Sequence, residues 1–451
     1  MKTTILGLFL IAPITANAAE LIWDGHYRAR SQIYNSLSLS DTNPNSEGVA
    51  FYTDHRLRLQ PGWLMSSQVG LFAQIDVLPY VLWGDETVVW SDPALGESPL
   101  VLTNSVSPPT QEGASTPQNL QATRVYGEVQ TAIGQLRFGR MPLHWGSGMM
   151  LNAGNDPDSQ FGDTADRVQF TSRVGEVYLQ GGVELNAEQF VGEGDDIWGA
   201  TASIYHKTER MGVGLYNSYR TYRHNEASFG LYTADLWGAA EMGPVDVEME
   251  FAAQYGRGDL DEGIDDATIA AFGGMLTASF QMQQLSVGLG AGFATGDKDT
   301  NDKNFKRFTF DPDFNQTLFL FEQNMPTLEA TVNNDTNGGR DTSTAQTGQA
   351  LSNALYIRPT IGWTFNDKLS SSVSLFAAKA AAVPDVDAET SGYGSEINAS
   401  LDYAPVEHFT LNTTIGLFIP GTHFTSHVDE DLGGEFDQNA YGGELTGTIH
   451  F

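Results

Sequence analysis

The sequence predicts an all-β fold, a transmembrane antiparallel β-barrel of about 18 strands with short periplasmic turns and long extracellular loops. Three observations support this prediction: an N-terminal export signal, strands that alternate between apolar and polar side chains, and links that alternate between short and long. The chain also combines 48 Gly with 25 Phe, 16 Tyr and 8 Trp in 451 residues. Such a composition is common where many strands turn at a lipid–water boundary.

The first 18 residues have the pattern of a secretory signal peptide. Lys2 supplies a positive charge, an apolar stretch runs from Ile5 to Ile14, and Ala16-Asn17-Ala18 gives the small-x-small pattern that signal peptidase cleaves. The apolar stretch is shorter than the roughly 20 residues that a transmembrane helix needs. We therefore expect residues 1–18 to be removed and residues 19–451 to form the barrel.

Residues 245–255 show the clearest strand periodicity. Apolar side chains dominate every second position, while Asp246, Glu248 and Glu250 fall between them. A period of two that persists over this length gives a strand two distinct faces, which a helix cannot do. The same alternation recurs in residues 285–293, 355–365, 397–403 and 409–419.

The links between the predicted strands are of two kinds that alternate along the chain. Short links, such as 132–134, 242–244 and 366–368, are followed by long polar links. Short turns at one end and long loops at the other are typical of outer-membrane barrels, and about nine loops and eight turns imply about 18 strands. The predicted long links lie near 36–50, 84–120, 142–165, 186–194, 258–266, 297–350, 381–393 and 420–438.

The last residues alternate in the same way and end in an aromatic side chain. Tyr441, Leu445, Ile449 and Phe451 share one face of this predicted strand. A terminal aromatic residue of this kind resembles the signal that the barrel-assembly machinery recognises. We therefore expect Phe451 to contact that machinery and to anchor the periplasmic rim, where aromatic girdles lie.

The net charge of the chain limits its partners. Lys and Arg number 23 against 56 Asp and Glu, which gives a formal net charge of −33. This charge argues against nucleic acid as a partner and against a basic patch for acidic lipid headgroups. The expected partners are the surrounding outer-membrane lipids, lipopolysaccharide and a transported solute. The chain contains no cysteine, so disulfide bonds do not stabilise it.

Arginines are concentrated in the first part of the chain and alternate with apolar residues, as in Arg56-Leu57-Arg58-Leu59. An arginine on the lipid-facing side costs about 2–4 kcal/mol at the bilayer midplane, so these side chains are expected to face the lumen. The predicted pore-lining arginines are Arg28, Arg30, Arg56, Arg58, Arg124, Arg137, Arg167 and Arg173, together with Arg358 later in the chain.

Acidic residues are predicted to line the opposite side of the lumen. Asp246, Glu248 and Glu250 lie on the eleventh predicted strand, nine strands from the second strand with Arg56 and Arg58. In an 18-stranded barrel these two strands face each other. We hypothesise a basic wall and an acidic wall with a transverse field across a water-filled pore. The alternative is that these charges pair with one another inside a plugged barrel.

The segment Gly139–Gly148 follows a predicted strand and opens a long loop. It contains Arg140, His144 and Trp145, which we expect in a constriction loop that folds into the channel. Ser147 and His144 share this loop, but no acidic partner for them is identifiable in the sequence. The segment therefore favours a packed, glycine-rich loop over a catalytic site.

Asp297, Asp299 and Asp302 have the spacing of oxygen ligands in a calcium loop. The glutamate that completes an EF-hand loop is missing downstream, so a solvated acidic loop is the alternative. Calcium is the one cofactor that the sequence suggests.

Three segments of the last part of the chain carry glycines and aromatic residues on strands: Gly288–Asp297, Asn353–Phe365 and Gly394–Gly421. In these patterns the chain resembles the alginate-export family of outer-membrane porins. The resemblance implies an 18-stranded barrel that conducts an anionic polysaccharide along an arginine-lined lumen. The acidic lumen residues fit small solutes better than they fit such a polymer.

The sequence therefore predicts a non-enzymatic channel of the bacterial outer membrane for passive diffusion of small hydrophilic or charged solutes. Export of an anionic polysaccharide is the alternative within transport. A non-conducting adhesin or structural barrel, and a lipid-active barrel enzyme, are the alternatives from other classes.

Overall fold

The computed structural model describes most of the chain that follows the expected signal peptide, whereas residues 1–18 themselves lie outside it. The described elements are strands, apart from one short helix at Thr422–Thr425. None of the helices in this part of the chain is long and apolar enough to cross a membrane. The described residues are 19–39, 49–83, 87–89, 104–106, 120–187, 196–224, 227–260, 264–299, 302–323, 325, 350–383, 391–425, 428–429 and 434–451.

Eighteen long strands form one closed antiparallel sheet, which confirms the predicted barrel. Each strand pairs with the next along the chain, and the last strand pairs with the first, with His26 opposite His450. The strands are β1 Gly25–Asn35, β2 Val49–Leu59, β3 Val69–Leu82, β4 Leu120–Thr131, β5 Gly134–Pro142, β6 Thr164–Val174, β7 Val177–Ala187, β8 Ile197–Lys207, β9 Met211–His224, β10 Ala227–Met242, β11 Val245–Leu260, β12 Ile264–Met282, β13 Leu285–Ala294, β14 Ala354–Asn366, β15 Leu369–Ala380, β16 Gly392–Val406, β17 Phe409–Pro420 and β18 Ala440–His450.

Alternation along the strands gives the barrel an apolar outer face. Phe51, Ile361 and Ile415 are typical outward residues, with 69%, 60% and 63% of their surface exposed. Exposed apolar side chains on every strand suit a barrel that lipid surrounds, because lipid and not water then covers them. The polar residues between them point into the lumen.

One predicted loop, near 258–266, is wrong. β11 continues to Leu260 and β12 begins at Ile264, so the strands extend through most of that segment. The polarity of the segment predicts a loop. However, a barrel strand that extends beyond the lipid is solvated on both faces, so it loses the apolar alternation that identifies a strand.

Two of the long loops fold back into the barrel. We call residues 143–163, between β5 and β6, the first inner loop, and residues 308–323, between β13 and β14, the second inner loop. Their buried apolar side chains, among them Met149, Phe308 and Phe319, form a core with inward residues of the strands such as Tyr34. The lumen of this barrel is therefore partly filled by its own loops.

Glycines on the inner face make room for these loops. A methyl group at Gly214 would lie 2.8 Å from the Trp145 ring, and one at Gly416 would lie 3.0 Å from both Leu318 and Phe319. Any larger residue at these two positions would displace a loop side chain. The glycine-rich strands thus serve the close approach of the loops as well as the turns.

Candidate functional site

Arginines of β1 and β2 line one side of the lumen and are held by acidic residues of the same wall. The Asp54 carboxylate accepts from Arg28 Nη2 at 2.5 Å and from Arg30 Nε at 2.9 Å. The Asp76 carboxylate pairs with Arg58 through two hydrogen bonds, of 2.7 Å and 3.0 Å. We call Arg28, Arg30, Arg56 and Arg58, all of them buried, the basic wall.

The basic wall binds the backbone of the first inner loop. Arg56 donates to the carbonyl oxygens of Ser159 at 2.7 Å and of Pro157 at 2.9 Å. Arg58 donates to the Gly154 carbonyl at 2.5 Å. Because a guanidinium group presents several donors in a fixed plane, one arginine can hold an acid with one edge and a loop carbonyl with another.

Arg124 on β4 extends this contact. It donates to the Ala153 carbonyl and, at 2.7 Å, to the side-chain oxygen of Asn155. The second half of the first inner loop is therefore bound to the arginine side of the lumen over several consecutive residues.

The first half of the same loop is bound to the opposite side. Glu250 on β11 accepts from both the backbone N–H and the hydroxyl of Ser147, at 2.6 Å and 2.5 Å. Trp145 donates its indole N–H to Asp235 on β10 at 3.0 Å. We call Asp235 and Glu250, which are both buried, the acidic pair. The first inner loop thus extends across the lumen from the acidic pair to the basic wall and narrows it.

The second inner loop is held in a similar way by a single carboxylate. Glu396 on β16 accepts from the backbone N–H groups of Leu318 at 2.5 Å, Phe319 at 3.2 Å and Leu320 at 3.1 Å. Three amide donors on one carboxylate offset part of the cost of burying it. Glu396, which is fully buried on the inner side of β16, is therefore engaged with a loop.

Carboxylates also join the two inner loops to each other. The N–H of Asn152 lies 3.2 Å from Asp163 Oδ2 and 3.3 Å from Asp311 Oδ2. Asp313 Oδ1 accepts from the N–H groups of Gln160 at 2.9 Å and Phe161 at 3.0 Å. The two loops therefore form one connected insert inside the barrel.

Arg140 does not face the channel, contrary to our expectation. It lies on the outer face of β5 and pairs with Asp166 on β6 through hydrogen bonds of 2.9 Å and 2.6 Å. The prediction placed Arg140 in the loop, but β5 continues to Pro142, and strand alternation then turns the side chain outward. Of the other two residues, Trp145 is buried in the first inner loop and His144 is exposed on it.

The remaining predicted arginines occupy different settings. Arg167 is buried and bonds to Glu184 at 2.7 Å, whereas Arg137 is half-buried and bonds to Glu128 at 2.6 Å. Arg173 lies beside the turn after β6, with its guanidinium 5.2 Å from the centre of the Tyr178 ring. Arg358 on β14 is half-buried, and in the described part of the chain its Nε atom has no hydrogen-bond partner.

The three acidic residues predicted on β11 differ in burial. Glu250 belongs to the acidic pair, Glu248 accepts from the Trp237 indole N–H at 2.9 Å, and Asp246 is exposed near the turn. Asp235, which completes the acidic pair, was missed in the sequence because β10 has weak alternation. The aspartates that hold the basic wall were also missed, although Asp54 shares the strand face of Arg56 and Arg58.

The predicted calcium ligands form local contacts. Asp297 accepts from the N–H groups of Asp299 at 3.1 Å and Lys306 at 3.0 Å, and Asp302 accepts from Asn304. Among the described residues no group of three or more acidic or histidine side chains is arranged to hold a metal ion. The calcium site stays a prediction.

No family model matches the sequence, and no curated protein sequence is similar to it. Solved structures are similar in fold. OccK9 (OpdG) of Pseudomonas aeruginosa has a TM-score of 0.53 at 12% identity and covers 96% of this chain and 99% of its own. A BenF-like porin from Pseudomonas fluorescens Pf-5 has a TM-score of 0.52 at 11% identity, over 96% of this chain and 98% of its own. OpdK of Pseudomonas aeruginosa, solved with vanillate, has a TM-score of 0.51 at 11% identity, over 95% and 98%. The chain therefore has the fold of outer-membrane porins.

Proposed function

We propose that this protein is a channel of the bacterial outer membrane through which small hydrophilic or charged solutes diffuse passively, without a chemical step. One observation carries the proposal. The barrel is closed and has an apolar outer face, and the first inner loop, which is held at both ends, crosses its lumen and narrows it. A lumen narrowed by charged residues selects solutes by size and charge.

The charges that hold the first inner loop support a preference for small solutes. Six buried arginines, at 28, 30, 56, 58, 124 and 167, are accompanied in the same walls by Asp54, Asp76 and Glu184. The vanillate found with one of the similar porins is a small organic anion. A solute of that size and charge suits a lumen in which positive groups remain in excess on one side.

A second candidate is passage of an anionic polysaccharide, as the resemblance to the alginate-export family implies. The arginines of β1 and β2 favour it, because a polyanion needs a continuous series of positive groups. The basic wall, however, already binds the loop backbone and Asp54. We therefore rank the polymer below the small solute.

Proteoliposomes distinguish the two candidates. Vesicles that contain the refolded barrel are expected to take up a monomeric uronic acid quickly and to exclude an octameric oligouronate. Equal uptake of both would support the polymer, and uptake of neither, by a barrel that migrates as folded on an unheated gel, would contradict a channel. The membrane setting, cleavage after Ala18 and recognition of Phe451 by the assembly machinery belong to the same proposal.

A further inference from the structure

A cleft of about 320 Å³ lies on the outer face of the barrel, outside the lumen and its loops. It is formed by β9, β10 and β11 close to the end where the long loops leave the barrel. Its lining includes three tyrosines and two arginines, together with Gly230: Tyr219, Tyr232, Tyr255, Arg223 and Arg257.

Strand register places the tyrosines in one row across the three strands. Tyr219 lies opposite Tyr232, and Tyr232 lies opposite Tyr255. Their exposed fractions are 51%, 44% and 62%. Three exposed tyrosines at one height mark the level of the lipid headgroups, where amphipathic rings concentrate.

The side chains change character on either side of this row. A second row lies four residues closer to the membrane centre, roughly 13 Å along each strand. It consists of the exposed apolar residues Leu215, Leu236 and Phe251. On the other side of the tyrosines come the arginines. The surface is therefore apolar, then aromatic, then cationic, in the order in which a membrane lipid presents acyl chain, backbone and headgroup.

The two arginines lie on β9 and β11, on either side of β10. Gly230 lies on the middle strand opposite Arg257, and a methyl group there would lie 2.6 Å from the Tyr219 hydroxyl oxygen. Arg257 is 67% exposed and lies 3.5 Å from Asp266, whose side chain is 81% exposed. An ion pair that is so exposed contributes little, so it leaves the Arg257 guanidinium available to another anion. Arg223, on the neighbouring strand β9, is also exposed.

We propose that this cleft binds a phosphate group on the headgroup of an outer-leaflet glycolipid. Two guanidinium groups suit a phosphate because their planar donors match its oxygens in pairs. The apolar row below the tyrosines favours a phosphate that carries acyl chains over a free phosphate ion. The net charge of −33 opposes long-range attraction of anions, so this local pair of arginines supplies the recognition.

The proposal is tested by measuring, with native mass spectrometry, how tightly diphosphorylated lipid A binds to the purified full chain. The double variant Arg223→Gln with Arg257→Gln is expected to bind at least tenfold more weakly than the parent. A matched control, Arg210→Gln with Lys368→Gln, removes two positive charges at the short-turn end and is expected to bind like the parent. Lipid A without phosphates is expected to bind all three proteins equally.

Two results would overturn the proposal. One is equal affinity of the parent and the Arg223→Gln/Arg257→Gln variant for diphosphorylated lipid A. The other is displacement of the lipid by inorganic phosphate in hundredfold excess, which would assign the cleft to free anions. The double variant is also expected to migrate as a folded barrel and to keep the ion conductance of the parent. A variant that loses lipid binding but keeps its conductance therefore tests the cleft independently of the channel.

Discussion

At the scale of single residues, Ser147 binds the first inner loop to Glu250 on β11. The Ser147 hydroxyl donates at 2.5 Å, and the backbone N–H of the same residue donates at 2.6 Å. The carboxylate is buried, so each donor that it loses leaves part of its charge without compensation.

Ser147→Ala removes the hydroxyl and keeps the backbone donor. We expect the loop contact to weaken by about 1.5–3 kcal/mol, because one hydrogen bond to a charged group is lost. Single-channel records of the variant are expected to show more frequent current fluctuations than those of the parent. Ser172→Ala is the control, because this half-buried serine lies beside a short turn and donates its hydroxyl to the Ile133 carbonyl at 2.8 Å, away from the loop. Identical records for the two variants would contradict the role of Ser147.

The carboxylates between the two inner loops give the insert a pH dependence. Burial and the neighbouring Asp163 carboxylate raise the pKa of Asp311 to about 8. An unfolded aspartate titrates near 3.9, so the folded chain holds the extra proton between these two values. The stability contributed by the protonated contact is therefore fully present below about pH 4 and is lost as pH rises through about 8.

We predict that current fluctuations increase between pH 6 and pH 9 in the parent as the two carboxylates repel each other. Asp311→Asn keeps the shape of the side chain and removes its titration, so its fluctuations are expected to be independent of pH over this range. Asp299→Asn, on an exposed part of the same link, is the control that should follow the parent. An unchanged pH dependence in Asp311→Asn would disprove the assignment.

At the scale of elements, the contact between the basic wall and the first inner loop determines the width of the lumen. Arg56 and Arg124 each bind loop oxygens, from strands β2 and β4. Their replacement by glutamine removes donors without changing the outer face of the barrel.

The variant Arg56→Gln with Arg124→Gln is expected to have a larger single-channel conductance than the parent, because the loop leaves the wall. The measurement is made in symmetric potassium chloride after the variant has been shown to migrate as a folded barrel. Arg210→Gln, in an exposed turn, is expected to leave the conductance unchanged. A smaller or equal conductance in the double variant would show that this contact does not hold the lumen narrow.

The acidic segment after β13 carries the prediction of a calcium site. If Asp297 and Asp299 bind calcium, millimolar calcium raises the melting temperature of the parent, since a ligand that binds the folded chain stabilises it. Asp297→Asn with Asp299→Asn should abolish this rise, whereas Asp246→Asn should keep it. Absence of a calcium effect in the parent would end the hypothesis.

At the scale of the whole molecule, periodicity was sufficient to predict the barrel. Alternation in residues 245–255 and 355–365, together with the sorted links, gave the strand number and the position of β11 opposite β2. Alternation can be read from neighbouring residues of one strand, because one face of the strand contacts lipid and the other faces the lumen. The reach of the strands beyond the lipid, as at 258–266, was not predictable from the same signal.

The site was predicted less completely. Alternation predicts that Arg56 and Arg58 share the inner face of one strand, but their partners on the first inner loop depend on contacts about 100 residues away in sequence. The direction of the Arg140 side chain depends on where β5 ends. Side chains alternate along a strand, so a shift of one residue would turn this side chain to the other face. The fold of residues 308–323 into the lumen rests on Glu396, a long-range contact that no spacing in the sequence reveals.

The most direct test of the central claim is single-channel recording of the refolded protein in a planar bilayer. Discrete, reproducible conducting steps are predicted, and they should be larger in Arg56→Gln with Arg124→Gln. The reversal potential in a salt gradient then shows whether the basic wall or the acidic pair dominates the narrowing. A folded barrel that inserts into the bilayer and never conducts, in the parent and in the variant, would contradict the channel and favour a structural or adhesive role.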